Sequence, residues 1–87
     1  MKKRIKAILV SKQSLTDREA QIAKLLCDGF SDKAIANHLA MKLCTVQRHL
    51  EHVYEKLECQ QHELNTRVNA LRMMLARGIV KFMADEA

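Results

Sequence analysis

The segment from residue 31 to residue 57, SDKAIANHLAMKLCTVQRHLEHVYEKL, contains two amphipathic stretches joined by a short connection. The first stretch starts with Ser31 and Asp32, a preferred N-cap followed by a negative charge that the positive end of a helix dipole favours. Its apolar residues share one face of a helix: Ile35, Ala36 and Leu39. The pattern predicts a helix over residues 32–39, which is too short to be stable without packing on its neighbours.

The second stretch predicts a longer helix over residues 45–57 with a single buried stripe. Its apolar residues recur at helical spacing: Val46, Leu50, Val53 and Leu57. Residues 40–44 would form the connection, with Met41 as its inward anchor. Two short helices joined by so few residues are typical of a helix-turn-helix unit.

A further helix is predicted before this unit, over residues 16–28. Thr16 and Glu19 have the spacing of a capping box, in which the side chain of each residue bonds the backbone N–H of the other. Gly29 is expected to end the helix, because glycine readily adopts the left-handed conformation found after helix C-termini.

A fourth helix is predicted after a polar segment at residues 58–63, which is either a loop or a frayed continuation of the third helix. Its apolar residues lie at helical spacing: Leu64, Val68, Leu71, Leu75 and Ile79. Gly78 is its expected end. The four helices predict an all-α domain, and the scarcity of aromatic residues, 3% of the chain, fits a core of aliphatic side chains.

The chain is short and basic, with 87 residues, a formal net charge of +5 and a pI near 9.4. This length suits one domain, and the charge favours nucleic acid or another anionic surface as a partner. Much of the excess charge lies in residues 1–14, a basic arm that the pattern predicts either as a short helix or as an extended segment. Three cysteines without paired spacing favour a reducing cytoplasm, and no apolar run reaches the roughly 18 residues of a membrane span.

Several separated motifs give the chain a family resemblance. They are LTDRE at residues 15–19, SDKAIA at 31–36, TVQRHL at 45–50, YEKL at 54–57 and RGIV at 77–80. In this order they resemble the LuxR/GerE-type (NarL/FixJ-like) DNA-binding domain, a four-helix helix-turn-helix fold (LuxR C-terminal effector-like). The resemblance implies a transcriptional regulator that binds double-stranded DNA sequence-specifically as a homodimer, with the third helix for recognition and the fourth for dimerisation.

The resemblance also implies a domain organisation: a basic N-terminal arm at residues 1–14, the LuxR-type domain at 15–80 and a C-terminal tail at 81–87. The short first segment leaves no room for a receiver or ligand-sensing domain, so we expect a free-standing, GerE-like regulator in the bacterial cytoplasm, associated with the nucleoid. We expect no enzymatic activity, since the sequence offers no Gly-rich phosphate loop and no arguable Ser-His-Asp set.

The outward face of the third helix is the predicted reading surface. If the apolar stripe faces inward, Gln47, Arg48 and Glu51 point outward from the part of the helix that enters the major groove. Arg can form a bidentate contact with guanine, Gln can pair with adenine, and Glu can accept from the cytosine amino group. The residues alone would also allow a merely solvated helix face, and the flanking motifs favour base reading.

Contacts with the DNA backbone are predicted for Lys33, Lys42, Thr45 and Lys56. Lys33 lies in the first turn of the second helix, where a helix N-terminus and a cation both suit a phosphate. The resemblance implies the same role for Thr45 and for Lys56. Each of these lysines could instead be a solvated surface charge.

The fourth helix carries the predicted dimer contact. Leu71 and Leu75 are expected to face the core, which would leave Arg72, Met73 and Ala76 as a small exposed strip for a symmetric contact. The alternative is an ordinary surface methionine.

The sequence departs from the family pattern at three places. Lys42 stands where a Ser or Thr usually caps the recognition helix, Glu58 replaces a common Gly, and about five extra residues near 60–64 separate the third and fourth helices. The missing cap, together with the carboxylates of Glu51 and Glu55, motivates an alternative: a protein-interaction module that keeps the fold and docks on another regulator or on RNA polymerase.

A metal site is conceivable but is not the expectation. A zinc set could be drawn from His49, His52, Cys59 and His62. It contains a single cysteine, its spacing crosses a predicted loop, and the resemblance implies no metal. We therefore expect no metal and no cofactor, and we expect His49 to be a packed or backbone-bonded histidine.

Overall fold

The computed structural model describes residues 3–59 and 65–86. This part of the chain forms four helices and a two-stranded antiparallel sheet, in the order β1 (Lys3–Leu9), α1 (Asp17–Cys27), α2 (Asp32–Leu39), α3 (Leu43–Lys56), α4 (Thr66–Ala76) and β2 (Val80–Glu86). The four predicted helices are confirmed. The predicted loop at residues 58–63 is described only up to residue 59, and Leu64 lies outside the described residues.

The starts of α1 and α2 have the predicted caps. The Oγ1 of Thr16 accepts from the backbone N–H of Glu19 at 3.1 Å, and the Oε1 of Glu19 accepts from the backbone N–H of Thr16 at 2.9 Å. Ser31 caps α2 by accepting from the backbone N–H of Ala34 at 3.1 Å. Gly29, with φ of +92°, follows the end of α1 in the left-handed conformation that was predicted for it.

The connection between α2 and α3 is shorter than predicted. Ala40 takes a left-handed conformation, with φ of 53°, and turns the chain at once. Lys42 is extended and its carbonyl accepts from the backbone N–H groups of Thr45 and Val46, so α3 begins at Leu43 and not at residue 45. The predicted connection at residues 40–44 therefore extended two residues too far.

The core lies between α1 and α3, with α2 packed on both. The predicted stripe of α3 is confirmed, since Val46, Leu50, Val53 and Leu57 are all at most 2% exposed. Ile22 of α1 is a fully buried member of the same core cluster. At about 25 cal/mol for each Å² of apolar surface removed from water, residues of this kind supply most of the fold's stabilisation.

The buried face of α4 differs from the predicted one. Ala70 and Met74 are fully buried, whereas Leu75, predicted to face the core, is 45% exposed. Leu71 and Met73 are partly buried and pack against the core. The prediction for Leu75 is wrong because apolar residues occur on every side of this helix, so that periodicity alone could not identify its inner face.

The two ends of the described chain form the sheet. β1 and β2 are antiparallel, with residue 3 opposite residue 86 and Leu9 opposite Val80. Ala7 and Val80 join the core. The sequence left a short helix or an extended segment open for residues 1–14, and the extended form is the one found. Residues 80–86 form a strand where the sequence predicted only a tail.

Asp28, at the end of α1, attaches the sheet to the helices. Its Oδ1 accepts from the backbone N–H of Ala7 in β1 at 2.7 Å, and its Oδ2 accepts from the Nζ of Lys24 at 2.8 Å. The side chain of Asp28 thus supplies the hydrogen-bond partner that a neighbouring strand would otherwise give to the backbone N–H of Ala7. Within the described ranges, no helix combines the length and the apolar character that a bilayer span requires.

Candidate functional site

The candidate site is the solvent-facing side of α3. Gln47, Arg48 and Glu51 are all exposed there, opposite the buried stripe, as predicted. Among the described residues, no partner for a hydrogen bond or an ion pair engages these three side chains. An arginine without an internal partner keeps all five of its N–H donors available for a ligand.

A shallow groove runs beside this face, where the start of α2 meets the start of α3. It has a volume of ≈ 580 Å³, and its walls include Ser31, Asp32, Lys33, Leu43 and Gln47. The first backbone N–H groups of α2 point towards this end of the helix, because helix N-termini leave them without intrahelical partners. The groove therefore joins the predicted reading face to a surface that suits anions.

Arg67 of α4 closes the far wall of this groove and was missed by the sequence analysis. Its Nη1 is paired with the carboxylate of Asp32, and its Nη2 donates to the carbonyl of Phe30 at 2.6 Å. The pair neutralises the negative charge at the start of α2, next to Lys33. Nothing in the spacing of the sequence links residue 67 to residue 32, so only the tertiary structure identifies this contact.

Three of the predicted backbone-contacting residues are exposed at the starts of α2 and α3. Lys33 is exposed in the first turn of α2, while Lys42 and Thr45 are exposed at the start of α3. Thr45 also lines a smaller cavity of ≈ 200 Å³ together with Cys44 and Arg48. Lys42 is the N-cap residue of α3 and makes no capping bond with its side chain, as its sequence position predicted.

Lys56, the fourth predicted backbone contact, has internal partners. Its Nζ lies 2.6 Å from the Oε1 of Glu19 and donates to the carbonyl of Ser14 at 3.2 Å. Burial acts to raise the pKa of Glu19, but the hydrogen bonds from Lys56 and from the backbone of Thr16 outweigh it and hold that pKa below its ordinary value. The charged form of the Glu19 carboxylate is therefore favoured, and it bonds both the backbone N–H of Thr16 and the ammonium group of Lys56.

Arg77, the first residue of the RGIV motif, caps the other end of α3. Its guanidinium donates to the carbonyls of Lys56 at 3.2 Å and of Leu57 at 3.4 Å. These carbonyls belong to the last turn of a helix, where no further N–H group of the helix can reach them. α3 is thus held at its C-terminal end by a residue from the end of α4.

Two histidines of α3 lie on the side that faces α1. One ring nitrogen of His49, one of His52 and one carboxylate oxygen of Glu19 all lie within 4.8 Å of one another. Cys59, a member of the conceivable zinc set, is not part of this group, and His62 lies outside the described residues. The Nδ1 of His49 is buried and has no hydrogen-bond partner in the described part of the chain. His49 was expected to be packed or backbone-bonded, and its partly buried ring with an unbonded Nδ1 fits the packed alternative at this atom.

The predicted dimer residues divide between two environments. Arg72 and Ala76 are exposed on α4, together with Val68 and Leu75, whereas Met73 packs partly against the core. The four exposed residues follow one another at spacings of four, three and one, so they lie along one side of the helix. The apolar surface of α4 is thus larger than the sequence analysis anticipated.

Comparison with known proteins agrees with the family resemblance of the sequence motifs. Residues 13–74 match the family model described as bacterial regulatory proteins, luxR family. The chain is 34% identical over 67 residues to the transcriptional regulatory protein DesR of Bacillus subtilis (strain 168), covering 77% of this chain and 31% of DesR. It is 48% identical over 44 residues to the provisionally named HTH-type transcriptional regulator Rv0890c of Mycobacterium tuberculosis (strain ATCC 25618 / H37Rv), covering 51% of this chain and 5% of that protein. The chain therefore spans about a third or less of the length of these relatives.

Proposed function

Since this chain belongs to the luxR family of bacterial regulatory proteins, we propose that it regulates transcription by binding double-stranded DNA. The family match confirms the resemblance found in the motifs, and the four helices fit the fold of that family. In this proposal α3 lies in the major groove of the DNA, as the recognition helix of a helix-turn-helix unit does.

The observation that carries the proposal is the unpartnered polar face of α3. Gln47, Arg48 and Glu51 are exposed on a helix whose opposite side is fully buried. Their donors and acceptors match the edges of adenine, guanine and cytosine respectively. A helix held at one end by Arg77 and along its length by the core is also rigid enough to present these groups in a fixed geometry.

The surrounding cations support contacts with the DNA backbone. Lys33 lines the groove with Gln47, and Lys42 is the N-cap residue of α3. The uncharged Thr45 lines a cavity with Arg48 and offers a hydroxyl group. The pairing of Asp32 with Arg67 neutralises the negative charge at the start of α2. We also retain Lys56 in this set. Its ammonium group has three N–H donors, of which two bind Glu19 and Ser14, so one remains for a phosphate.

We propose that the protein acts as a homodimer through α4. Val68 and Leu75 are 55% and 45% exposed, and Arg72 and Ala76 lie on the same side of the helix. Exposed apolar residues on one side of a helix, here Val68, Leu75 and Ala76 beside Arg72, suit a two-fold contact in which the same residues meet their copies. Met73 was included in the predicted contact, but only the exposed part of its side chain could take part, because the rest packs against the core.

The test is fluorescence anisotropy of the protein on a duplex selected from a random pool, titrated with salt. Arg48→Ala should weaken binding to the selected site by about 1–3 kcal/mol. Arg48→Lys keeps the charge but loses the bidentate contact, so its preference for the selected over a scrambled duplex should fall by about 1–3 kcal/mol while binding to the scrambled duplex stays unchanged. Arg18→Ala, an exposed arginine of α1, is the matched control and should bind like the unaltered protein.

The alternative function, a protein-interaction module, is favoured by one feature of α3. Glu51 and Glu55 are both exposed, and two carboxylates on a helix that approaches DNA would repel its phosphates. A module of this kind would dock on RNA polymerase or another regulator in salt that abolishes DNA binding. If Arg48→Ala leaves DNA binding unchanged and no duplex is preferred, this alternative replaces the DNA-reading proposal.

A further inference from the structure

Glu19, His49 and His52 form a cluster between α1 and α3, one helical turn from Arg48 and beside Lys56. The two histidines are three positions apart, so they are neighbours on the helix surface. The Nδ1 of His52 lies 3.8 Å from the Oε2 of Glu19, and one donor atom from each of the three residues lies within 4.8 Å of the other two.

The cluster brings together one carboxylate oxygen of Glu19 and one ring nitrogen of each histidine. The Oε1 of Glu19 is occupied, because it accepts from the Nζ of Lys56 and from the backbone N–H of Thr16. Its Oε2 faces His52 instead. The Nδ1 of His49 is buried and lacks a hydrogen-bond partner among the described residues. A buried polar atom without a partner is costly, so a group that binds it would stabilise the fold.

We propose that Glu19, His49 and His52 bind a divalent transition-metal ion, of which Zn²⁺ is the best match. Imidazole nitrogens with one carboxylate oxygen are a ligand set that zinc accepts, and water would complete its four-coordinate shell. Ligand atoms around zinc lie about 3.4 Å apart when its bonds are about 2.1 Å long. The present spacing must therefore contract slightly. His52, with 49% of its side chain exposed, has the freedom to rotate inward.

One neighbouring charge opposes the binding of a cation. The ammonium group of Lys56 lies 2.6 Å from the same carboxylate, so it repels any ion that approaches Glu19. The ion would therefore be held less tightly than in a closed structural site with four protein ligands. An exchangeable ion at this place would join the first turn of α1 to the middle of α3 while Gln47, Arg48 and Glu51 remain exposed.

The experiment measures binding of Zn²⁺ and of Co²⁺ to the full chain in the presence of a non-thiol reductant. One ion per chain should bind, and Zn²⁺ at about a hundredfold above its Kd should raise Tm by roughly 10–20 °C. His52→Gln should weaken binding by about tenfold or more, because it removes a ligand from the half-exposed side of the site. His38→Gln, the same change at an exposed histidine outside the cluster, should bind the ion like the unaltered protein.

A second readout identifies the ligands directly and does not depend on the variants. NMR signals of the imidazole nitrogens of His49 and His52 should shift on addition of Zn²⁺, while those of His38 should not. The absorption spectrum of bound Co²⁺ should lack a thiolate charge-transfer band, since the three cysteines are outside the cluster. The proposal is overturned by equal affinity in His52→Gln, by a thiolate band, or by the absence of any rise in Tm.

Discussion

The Nζ of Lys56 lies 2.6 Å from the Oε1 of Glu19, so the last turn of α3 is fastened to the first turn of α1. The same carboxylate completes the capping box with Thr16. Glu19 is 4% exposed and is the buried charged residue of the described core. A single glutamate therefore supports both the start of one helix and the position of another.

Removing the lysine should destabilise the fold. Lys56→Met should lower the free energy of unfolding by about 1–2 kcal/mol, a loss between those of surface and fully buried ion pairs, because 35% of the lysine side chain is exposed. Urea unfolding followed by circular dichroism measures the change. Lys33→Met, at an exposed lysine with no partner among the described residues, should change the stability by less than about 0.5 kcal/mol. Equal effects of the two variants would contradict the role given to the pair.

The same contact predicts how stability depends on pH. The pKa of Glu19 is lowered from its ordinary value of 4.5, so the folded state favours the charged carboxylate more than the unfolded state does. Its contribution is complete above pH 4.5 and is lost as the pH falls through the lower pKa of the folded state. Glu19→Gln should therefore be less stable than the unaltered protein at pH 7, and the difference should shrink below pH 4.5. A difference that stays constant between pH 7 and pH 3 would contradict the assignment.

Two substitutions of Lys42 distinguish its effect on the stability of α3 from its proposed contact with DNA. Lys42→Ser would supply the missing cap of α3 and should raise the free energy of unfolding by about 1 kcal/mol. It should also weaken DNA binding and lower the slope of log affinity against log salt by about one, because a phosphate contact is lost. Lys42→Ala should show the DNA effect without the gain in stability. A Lys42→Ser variant that binds DNA with an unchanged salt slope would exclude Lys42 from the backbone contacts.

Local patterns in the sequence were sufficient for most of this fold. The caps at Thr16 and Ser31, the turn at Gly29 and the buried stripe of α3 each depend on residues within a few positions of one another. α4 was harder, because apolar residues surround it and only packing selects Ala70 and Met74 as its inner face. Local information is thus enough for an amphipathic helix and insufficient for a uniformly apolar one.

The contacts that position the candidate site are long-range and were not predicted. Arg67 reaches Asp32, Arg77 reaches the end of α3, and Lys56 reaches Glu19. Each of these pairs is more than fifteen positions apart, so no local sequence pattern links its two members. The exposed Gln47, Arg48 and Glu51 were found from the sequence because their exposure follows directly from the buried stripe.

The three cysteines should react at very different rates. Cys44 is exposed, Cys59 is partly buried with its pKa raised by burial, and burial raises the pKa of Cys27 to about 11. Since the thiolate is the reactive form, a maleimide should label Cys44 first and Cys27 only when the protein unfolds. Mass spectrometry of the native protein over time gives the order, and rapid labelling of Cys27 before Cys44 would contradict the described packing.

Labelling also tests where DNA binds. Cys44 lies in the first turn of α3 and lines a cavity with Thr45 and Arg48, so a bulky polyethylene glycol maleimide there should reduce DNA affinity at least about tenfold. Cys44→Ser treated with the same reagent is the control and should retain its affinity. Full DNA binding by the protein labelled at Cys44 would remove the start of α3 from the interface.

The dimer proposal depends on the exposed side of α4. Leu75→Glu places a charge in the centre of the apolar strip and should convert a dimer into a monomer in analytical ultracentrifugation, with little change in fold stability. Leu43→Glu, at another exposed leucine distant in sequence from α4, should leave the association state unchanged. A protein that is monomeric before any substitution, at every concentration tested and on DNA, would exclude α4 as a dimer contact.

The β1–β2 sheet has a mechanical consequence. Residue 3 lies opposite residue 86, so the polypeptide enters and leaves the folded unit at the same point. A force that pulls these two points apart loads one pair of the antiparallel ladder at a time, because its hydrogen bonds run across the strands. The strand pairs of the sheet would therefore separate one after another under a small force. The helical core, to which Asp28 attaches β1, would unfold only at a larger force.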